Sequence, residues 1–295
     1  MGCALTGLPM VAQADIFVTN NNSNMIGDYT NSGAAVNASL ISGLSAPAGI
    51  AVSGSDLFVA SSGTGTIGEY TTSGATINAS LISGLNAPAG IAVSGSDLFV
   101  ASEGTDTIGE YTTSGATVNA SLISGLSTPV GIAVSGSDLF VANNYDNTIG
   151  EYTTSGATVK ASLISGLDKP YDIAVSGSDL FVAKFDSNTI GEYTTSGATV
   201  NASLVSGLDG PAGIAVSGSD LFVANFNSNT IGEYTTSGAT VSASLVSGLS
   251  TPFGIAVTSA AAPLPAAVWP GLLTLAGMAM AGGMQKLRRR NINAH

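Results

Sequence analysis

Residues 47–87, PAGIAVSGSDLFVASSGTGTIGEYTTSGATINASLISGLNA, are one complete copy of a unit that fills most of the chain. Its motif Ile-Gly-Asp/Glu-Tyr recurs at steps of 41 residues, with the glycine at Gly27, Gly68, Gly109, Gly150, Gly191 and Gly232. One proline and one phenylalanine per copy keep the same spacing. Six copies without an insertion indicate a fold built from one repeated structural unit.

Each copy contains four short apolar runs separated by turn residues. In the quoted copy the runs are Gly49–Val52, Asp56–Ala60, Thr66–Tyr70 and Ala75–Ile82. β-Branched and aromatic residues fill the runs, and Gly, Ser, Asn or Pro fills the gaps, which is typical of strands and turns. Four strands per 41-residue unit match one blade of a β-propeller. The sequence therefore predicts an all-β, six-bladed β-propeller over residues 15–258.

The two ends of the repeat region predict how the ring closes. The region opens at Asp15, in the second strand of a copy, and finishes with residues 252–257, the first strand of a copy. We expect this C-terminal strand to pair with the three N-terminal strands, which leaves no raw sheet edge at the junction. A β-solenoid is the competing architecture, but it needs atypical capping repeats at its ends.

The repeat resembles a known family. Pro47-Ala-Gly-Ile-Ala-Val52, Asp220-Leu-Phe-Val-Ala-Asn225 and the Thr-Ile-Gly-Glu-Tyr motif are similar to the NHL repeat, over residues 15–257. The resemblance implies a six-bladed propeller. Related propellers with a similar consensus include lactonase-like enzymes, which hold calcium with carboxylates and amides that reach into the central channel. Fold is therefore better indicated than function.

Composition excludes several classes of function. The chain has 19 acidic and 7 basic residues, a net charge of −12. Four of the basic residues lie in the last ten positions, which leaves three lysines against nineteen carboxylates in the body, a net of −16. Nucleic acid is not an expected partner, because its binding depends on Lys and Arg. With one cysteine, Cys3, and one histidine, His295, the repeats can hold no disulfide, no Cys/His zinc site and no Ser-His or Cys-His pair.

The N-terminus predicts export. Residues 3–12 are apolar, and Ala12-Gln13-Ala14 forms an A-x-A cleavage site just before Asp15. Residues 1–14 therefore resemble the end of a signal peptide that the Sec machinery would handle, although no Lys or Arg precedes Lys160. A terminus without such a role is the alternative.

The C-terminus predicts a sorting signal. A small-residue linker at 259–265 is followed by an uncharged stretch at 266–284, long enough for a membrane-spanning helix, and by a basic tail at 285–295. This arrangement is similar to PEP-CTERM signals, which implies processing by an exosortase-like transpeptidase at a bacterial envelope, surface or extracellular matrix. The elements that carry the resemblance are Pro263, Leu264, Pro265, Trp269, Arg288, Arg289 and Arg290. A permanent single-pass anchor is the alternative.

Most carboxylates occupy two repeat columns, and no catalytic set stands out among them. The columns are Asp15, Asp56, Asp97, Asp138, Asp179 and Asp220, and Asp28, Glu69, Glu110, Glu151, Glu192 and Glu233. A sixfold cation site, with calcium in the central channel, is one interpretation. We favour a structural role at the blade edges and expect no cofactor, because catalysis usually needs groups in different environments.

Differences between copies concentrate in the loop after the second strand and in the linkers between blades. In an up-and-down blade these two connections share one face of the propeller. Five aromatic residues outside the repeat columns fall there, with three charged residues beside them; together they form the predicted ligand site: Tyr145, Lys169, Tyr171, Asp172, Lys184, Phe185, Phe226 and Phe253. Such aromatics suit a polysaccharide or an extended peptide, although loops also drift without function.

These patterns predict an exported binding or scaffold module and no catalytic activity. The missing catalytic side chains and the exported ends favour this reading. A metal-dependent hydrolase or lactonase-like enzyme of the six-bladed kind is the alternative, and a cation held in the channel by non-equivalent carboxylates would favour it.

Overall fold

The computed structural model describes residues 14–258, which form 24 antiparallel strands. The first three are β1 (Asp15–Asn20), β2 (Met25–Thr30) and β3 (Ala35–Ser42). Two sets of four follow: β4 (Pro47–Ser53), β5 (Asp56–Ser61), β6 (Thr66–Thr71) and β7 (Thr76–Ile82), then β8 (Pro88–Ser94), β9 (Asp97–Ser102), β10 (Thr107–Thr112) and β11 (Thr117–Ser124).

The second half of the chain repeats the pattern. Its strands are β12 (Pro129–Ser135), β13 (Asp138–Asn143), β14 (Thr148–Thr153), β15 (Thr158–Ile164), β16 (Pro170–Ser176), β17 (Asp179–Lys184), β18 (Thr189–Thr194), β19 (Thr199–Ser206), β20 (Pro211–Ser217), β21 (Asp220–Asn225), β22 (Thr230–Thr235), β23 (Thr240–Val246) and β24 (Pro252–Val257). All 24 strands together form six four-stranded sheets, so the six-bladed propeller is confirmed. We number the blades 1 to 6 in chain order, blade 1 being the sheet that contains β1.

The ring closes in blade 1, as expected. The strand order there is β24-β1-β2-β3, with Ile16 opposite Val257 and Val18 opposite Ile255. Thr258 extends the pairing, since its backbone N–H donates to the carbonyl oxygen of Asp15 at 3.0 Å. The C-terminal strand therefore completes the first sheet, an arrangement that excludes a solenoid.

Thr19 adds a second lock at this junction. Its side chain is fully buried, and its hydroxyl donates to the carbonyl oxygen of Ala48 in blade 2 at 2.6 Å. The same hydroxyl accepts the backbone N–H of Gly254 in β24 at 2.8 Å. The other five copies carry alanine at this position. The hydroxyl thus joins the two chain ends to each other and to the next blade.

The core lies between neighbouring blades rather than within any one of them. The second strand of each blade is buried on both faces, as Leu57, Phe58, Val59 and Ala60 are in blade 2. Six apolar clusters result, each formed by two adjacent blades. A near-continuous apolar run such as Asp56–Ala60 is what a doubly covered strand requires, and the outermost strands are mostly exposed.

The connections sort onto two faces. The loop face carries the second-to-third-strand loops (21–24, 62–65, 103–106, 144–147, 185–188 and 226–229) and the linkers between blades (43–46, 83–87, 125–128, 165–169, 207–210 and 247–251). The opposite face carries the short turns, such as Gly54 and Thr72–Gly74. Loops and linkers bond to one another directly: the backbone N–H of Phe185 donates to Lys169 O at 3.0 Å, and that of Phe226 donates to Gly210 O at 2.9 Å.

Two predictions fall on other parts of the chain. No helix within residues 14–258 is long and apolar enough to cross a membrane. The predicted hydrophobic helix at 266–284, the linker at 259–265 and the basic tail at 285–295 lie outside the described residues, as does Ala12 of the predicted cleavage site. Ala14 is buried in blade 1, where its carbonyl oxygen accepts the backbone N–H of Asn31 at 3.2 Å.

Candidate ligand-binding site at the channel mouth

Four of the five aromatic side chains that depart from the repeat form one cluster on the loop face. The ring of Tyr171 lies 4.7 Å from that of Phe185 and 5.8 Å from that of Phe253, centroid to centroid. Phe226 closes the group, at 6.1 Å from Phe185 and 6.5 Å from Phe253. These distances are within the range of favourable aromatic pairs. All four rings are partly exposed, so this aromatic cluster is a surface and not a core.

The cluster is assembled from segments far apart in the chain. Tyr171 is the second residue of β16 and Phe253 the second residue of β24, so both begin the innermost strands of their blades. Phe185 and Phe226 follow the second strands of blades 5 and 6. The curvature of the ring brings blades 5, 6 and 1 side by side, and the rings meet at the mouth of the central channel.

Hydrogen bonds hold the supporting loops in place. Asn147 accepts the backbone N–H of Lys169 at 2.9 Å, and Asn188 accepts that of Gly210 at 2.7 Å, each through its side-chain Oδ1. Asn229 does the same for Thr251, the residue before Pro252, at 2.7 Å. All three asparagines have positive φ, which asparagine tolerates better than most residues. Each loop is thereby tied to the linker that leads from its own blade to the next one. These bonds fix the loops and linkers that carry the aromatic rings.

Gly210 makes room for one of the rings. A Cβ added there would lie 3.0 Å from Cε2 of Phe185 and 2.6 Å from the side-chain nitrogen of Asn227. The equivalent residues in other blades include Thr128 and Thr251, which hold a similar positive φ. Conformation alone therefore does not require glycine at this position; the space that the side chains of Asn227 and Phe185 occupy favours it.

Asp172 lies inside the channel, below the cluster. The other five blades have glycine at this position, in a ring of Gly49, Gly90, Gly131, Gly213 and Gly254. The first strands approach closely here, since a Cβ on Gly131 would lie 2.6 Å from Cα of Asp172. The remaining cavity is about 30 Å³, and among residues 14–258 Asp172 is the only carboxylate that lines it.

In the described part of the chain, the donors to the carboxylate of Asp172 are two backbone N–H groups. Oδ1 accepts the N–H of Ile173 at 2.9 Å, and Oδ2 accepts the N–H of Ile214, in blade 6, at 3.0 Å. Desolvation raises the pKa of Asp172 from 3.8 to about 7, and the two backbone hydrogen bonds partly offset that rise. The group therefore titrates near neutral pH and carries a negative charge above it.

Glu103 gives the opposite side of the mouth a second acidic group. It occupies, in blade 3, the loop position that Phe185 and Phe226 hold in blades 5 and 6. Burial raises the pKa of Glu103. Burial also raises the pKa of Tyr171, and the negative charges of Glu103 and Asp186 raise it further. Negative charge therefore reaches Tyr171 from two blades, from Glu103 in blade 3 and from Asp186 in blade 5.

The remaining predicted site residues lie apart from the cluster. The ammonium of Lys169 pairs with Asp186 at 3.2 Å at the surface. Lys184 is only 6% exposed, and its ammonium donates to the carbonyl oxygen of Ala202 at 2.7 Å, so it does not reach the mouth. Desolvation lowers the pKa of Lys184. Tyr145 is 79% exposed in the loop of blade 4, outside the cluster.

The repeated carboxylates lie away from the channel. None of the twelve lines the cavity. Asp56 accepts the hydroxyl of Ser55 at 3.2 Å in the turn of the opposite face, and Glu69 stands one strand away, opposite Phe58. The structural role of the repeated carboxylates stays a prediction. Within residues 14–258 no group of three or more His, Cys, Asp or Glu side chains is arranged to hold a metal ion.

Sequence reasoning missed Glu103, Gly210 and the asparagine clamps. Glu103 carried a usable signal, because it departs from the repeat at the same position as Phe185 and Phe226. Gly210 also departs from its column, but its meaning depends on the ring that lies above it. The asparagine clamps could not be predicted, because they depend on how close each loop lies to a linker 22 residues further along the chain.

Comparison with solved structures supports the architecture. A chain of a nidogen/laminin complex superposes with a TM-score of 0.72 at 15% identity, over 84% of this chain and 100% of that one. A streptogramin B lyase gives 0.63 at 22% identity, over 85% and 88%. Virginiamycin B lyase from Staphylococcus aureus gives 0.57 at 22% identity, over 70% and 73%. At these identities the likeness concerns the fold alone.

Sequence comparison is more specific. No curated protein sequence matches this chain. The sequence profile of the virginiamycin B lyase family matches residues 2–225, more than half of the chain and all of blades 2 to 5. The six-bladed fold that the NHL resemblance implied is present, and the sorting signal lies outside the described residues. By this match, the chain belongs to the virginiamycin B lyase family.

Proposed function

We propose that this propeller is a binding module that takes its ligand on the loop face, at the channel mouth. The observation that carries the proposal is the aromatic cluster. Tyr171, Phe185, Phe226 and Phe253 each depart from an otherwise regular repeat, and their rings are in contact with one another. Partly exposed aromatic side chains that converge on a concave mouth are typical of ligand contacts.

The ligand class is a polysaccharide or an extended peptide. Flat rings at the rim offer stacking surfaces to sugars and packing surfaces to side chains, and neither requires a deep pocket. The cavity below is only about 30 Å³, so it admits no whole sugar or drug-sized molecule. An elongated ligand would therefore lie across the mouth and extend at most a small group into the channel.

The inventory of side chains favours binding over catalysis. The repeats contain neither histidine nor cysteine, since these occur only as His295 and Cys3. Among the structural relatives is a catalytically inactive histidine-to-alanine variant of the staphylococcal virginiamycin B lyase with quinupristin, 21% identical to this chain. If a histidine has a catalytic role in that relative, residues 14–258 of this chain contain no residue of the same type.

The test is a triple variant, Tyr171→Ala with Phe185→Ala and Phe226→Ala, applied to glycan and peptide arrays. We expect it to lose the retention that the wild-type propeller shows, because the contact surface is removed. Its folding should be little affected, since all three rings are partly exposed. Tyr145→Ala is the matched control: it removes an exposed aromatic residue of the same face that stands outside the cluster. Equal retention of triple variant and wild type would refute the proposal.

A second candidate is an enzymatic role, favoured by the family match and by Asp172. A carboxyl group whose pKa lies near 7 inside a cavity has the acidity of a general base. This candidate includes the metal-dependent hydrolase or lactonase-like activity. Incubation with quinupristin and with lactones, with and without added divalent cations, followed by mass spectrometry of the small molecules, separates the candidates. Turnover that Asp172→Gly abolishes would establish the enzyme and displace the binding module.

We also propose that the propeller is exported to a bacterial envelope, surface or matrix. The support is the A-x-A site ending at Ala14 and the sorting-like segment at 259–295, both read from the sequence. Mass spectrometry of the mature native chain locates both cleavages. A mature chain that retains residues 1–14 and 285–295 would contradict export with processing by an exosortase-like transpeptidase.

A further inference from the structure

We propose that the channel mouth binds the ammonium group of a lysine side chain, presented by an extended peptide. Asp172 is the anionic partner, and Tyr171 and Phe253 are the aromatic walls. The inference rests on the proposed binding function and deepens it, because it names the ligand's chemical group and assigns that group a place in the channel.

The carboxylate of Asp172 has no cationic partner within residues 14–258. Its two oxygens accept one backbone N–H each, at 2.9 and 3.0 Å, and an ionised carboxylate has capacity for further donors. None of the three lysines in the described part of the chain neutralises it. Lys169 pairs with Asp186, the ammonium of Lys184 lies on Ala202 O, and Lys160 reaches Ser196 O at 3.5 Å.

Two aromatic side chains line the same cavity as this carboxylate. Tyr171 precedes it in the chain, and both Tyr171 and Phe253 line the cavity in which it lies. The faces of aromatic rings attract cations, most strongly where water is excluded. A carboxylate beneath two aromatic rings matches an alkylammonium group, whose charged end meets the anion while its methylene stem packs against the rings. Glu103 on the opposite side adds a second negative charge.

The size of the cavity also favours a lysine side chain. The cavity beside Asp172 is small, about 30 Å³. A terminal ammonium on a slender chain fits such a space. The ammonium of an amino sugar sits directly on its ring and cannot enter without the ring, so a peptide is favoured over a polysaccharide. A body with a net charge of −16 also attracts cationic segments over a distance.

The substitution Asp172→Gly isolates this contact, because it restores the residue present in the other five blades. The probes for calorimetry on the full chain are a pentapeptide with one central lysine among glycines, the same peptide with the lysine Nε-acetylated, and a glucosamine tetramer. We expect the lysine peptide to bind the wild type and to lose at least about tenfold in affinity to Asp172→Gly, the effect of removing a charged hydrogen-bond partner. Acetylation should cause a loss of similar size.

Three results would overturn the inference. One is equal affinity of wild type and Asp172→Gly for the lysine peptide. Another is equal binding of the acetylated and free peptides, or no binding of either. The third is Asp172-dependent binding of the glucosamine tetramer in preference to the lysine peptide, which would assign the ligand to a polysaccharide. If the triple aromatic variant loses array retention while Asp172→Gly keeps it, the binding module stands and only the lysine contact fails.

Discussion

Replacing Asp172 by glycine is expected to stabilise the fold at pH 8, although it removes the predicted ligand contact. In the folded chain the pKa of this carboxyl is about 7, against an ordinary value of 3.8. The folded state therefore disfavours the ionised form, so the group destabilises the fold at every pH at which the unfolded chain is ionised. That destabilisation is largest above pH 7 and fades as the pH falls towards 3.8.

The magnitude follows from the two pKa values. At pH 8, a difference of roughly three units corresponds to roughly 4 kcal/mol, at about 1.4 kcal/mol per unit. At pH 5 the folded chain is protonated at Asp172 while the unfolded chain is still largely ionised, which leaves roughly 1.5 kcal/mol. The glycine costs about 0.5–1 kcal/mol of backbone entropy, independent of pH. We expect the stability difference between variant and wild type to shrink by roughly 2–3 kcal/mol from pH 8 to pH 5.

The assay is urea-induced unfolding of both proteins at pH 8, 7, 6 and 5, with the free energy of unfolding as the readout. Asp28, Glu103 and Tyr171 are present in both proteins, so their own titration cancels in the difference to first order. Asp146→Gly is the matched control, because it exchanges an exposed carboxylate of the same face for glycine. A stability difference that is constant over this range would refute the reasoning, as would a variant that is less stable than wild type at pH 8.

Three further substitutions test other parts of the account. Thr19→Ala should lower the free energy of unfolding by about 1 kcal/mol or more, since it removes a buried hydrogen bond at the ring closure; an unchanged urea midpoint would contradict this. Burial, with the charge of Asp15, raises the pKa of Asp28 to about 6, and its Oδ1 has no hydrogen-bond partner among the described residues. Asp28→Asn should therefore stabilise the fold above pH 6, by an amount that decreases below it, and a gain that grows towards pH 5 would count against the assignment. Gly210→Thr should displace the ring of Phe185 and weaken array retention while the near-ultraviolet circular dichroism of the repeats persists; full retention would show that the ring position is immaterial.

The sequence predicted the fold closely because each structural decision is repeated six times. The doubly covered run at Asp56–Ala60 and the turn residues around it indicate the strands, and their recurrence at a fixed step gives the number of blades. The closure by residues 252–257 could be predicted because the repeat region opens with the second strand of a copy and finishes with a first strand. The first strand is longer than expected, Pro47–Ser53 against Gly49–Val52, because the pairing includes Pro47 opposite Ser61 across an irregular register.

The candidate site was predictable only in part. Tyr171, Phe185 and Phe226 could be found from the sequence because they differ from the residues at the equivalent positions of other copies. The packing that all six blades share does not need an aromatic side chain there. The direction of a side chain is a different matter. Lys184 ends β17, and its ammonium is buried on the carbonyl oxygen of Ala202 in β19 of the same blade. That direction depends on packing, which the repeat column does not reveal.

The location of the ligand site on the propeller can be measured without knowing its affinity. Hydrogen–deuterium exchange on the full chain, with and without the lysine pentapeptide, should show added protection at residues 169–172, 185–188 and 251–254, where the aromatic cluster and Asp172 lie. Backbone amides at the turns of the opposite face, such as 53–55 and 71–74, should exchange unchanged. Protection confined to those turns, or to the outer strands of the blades, would contradict a site at the channel mouth.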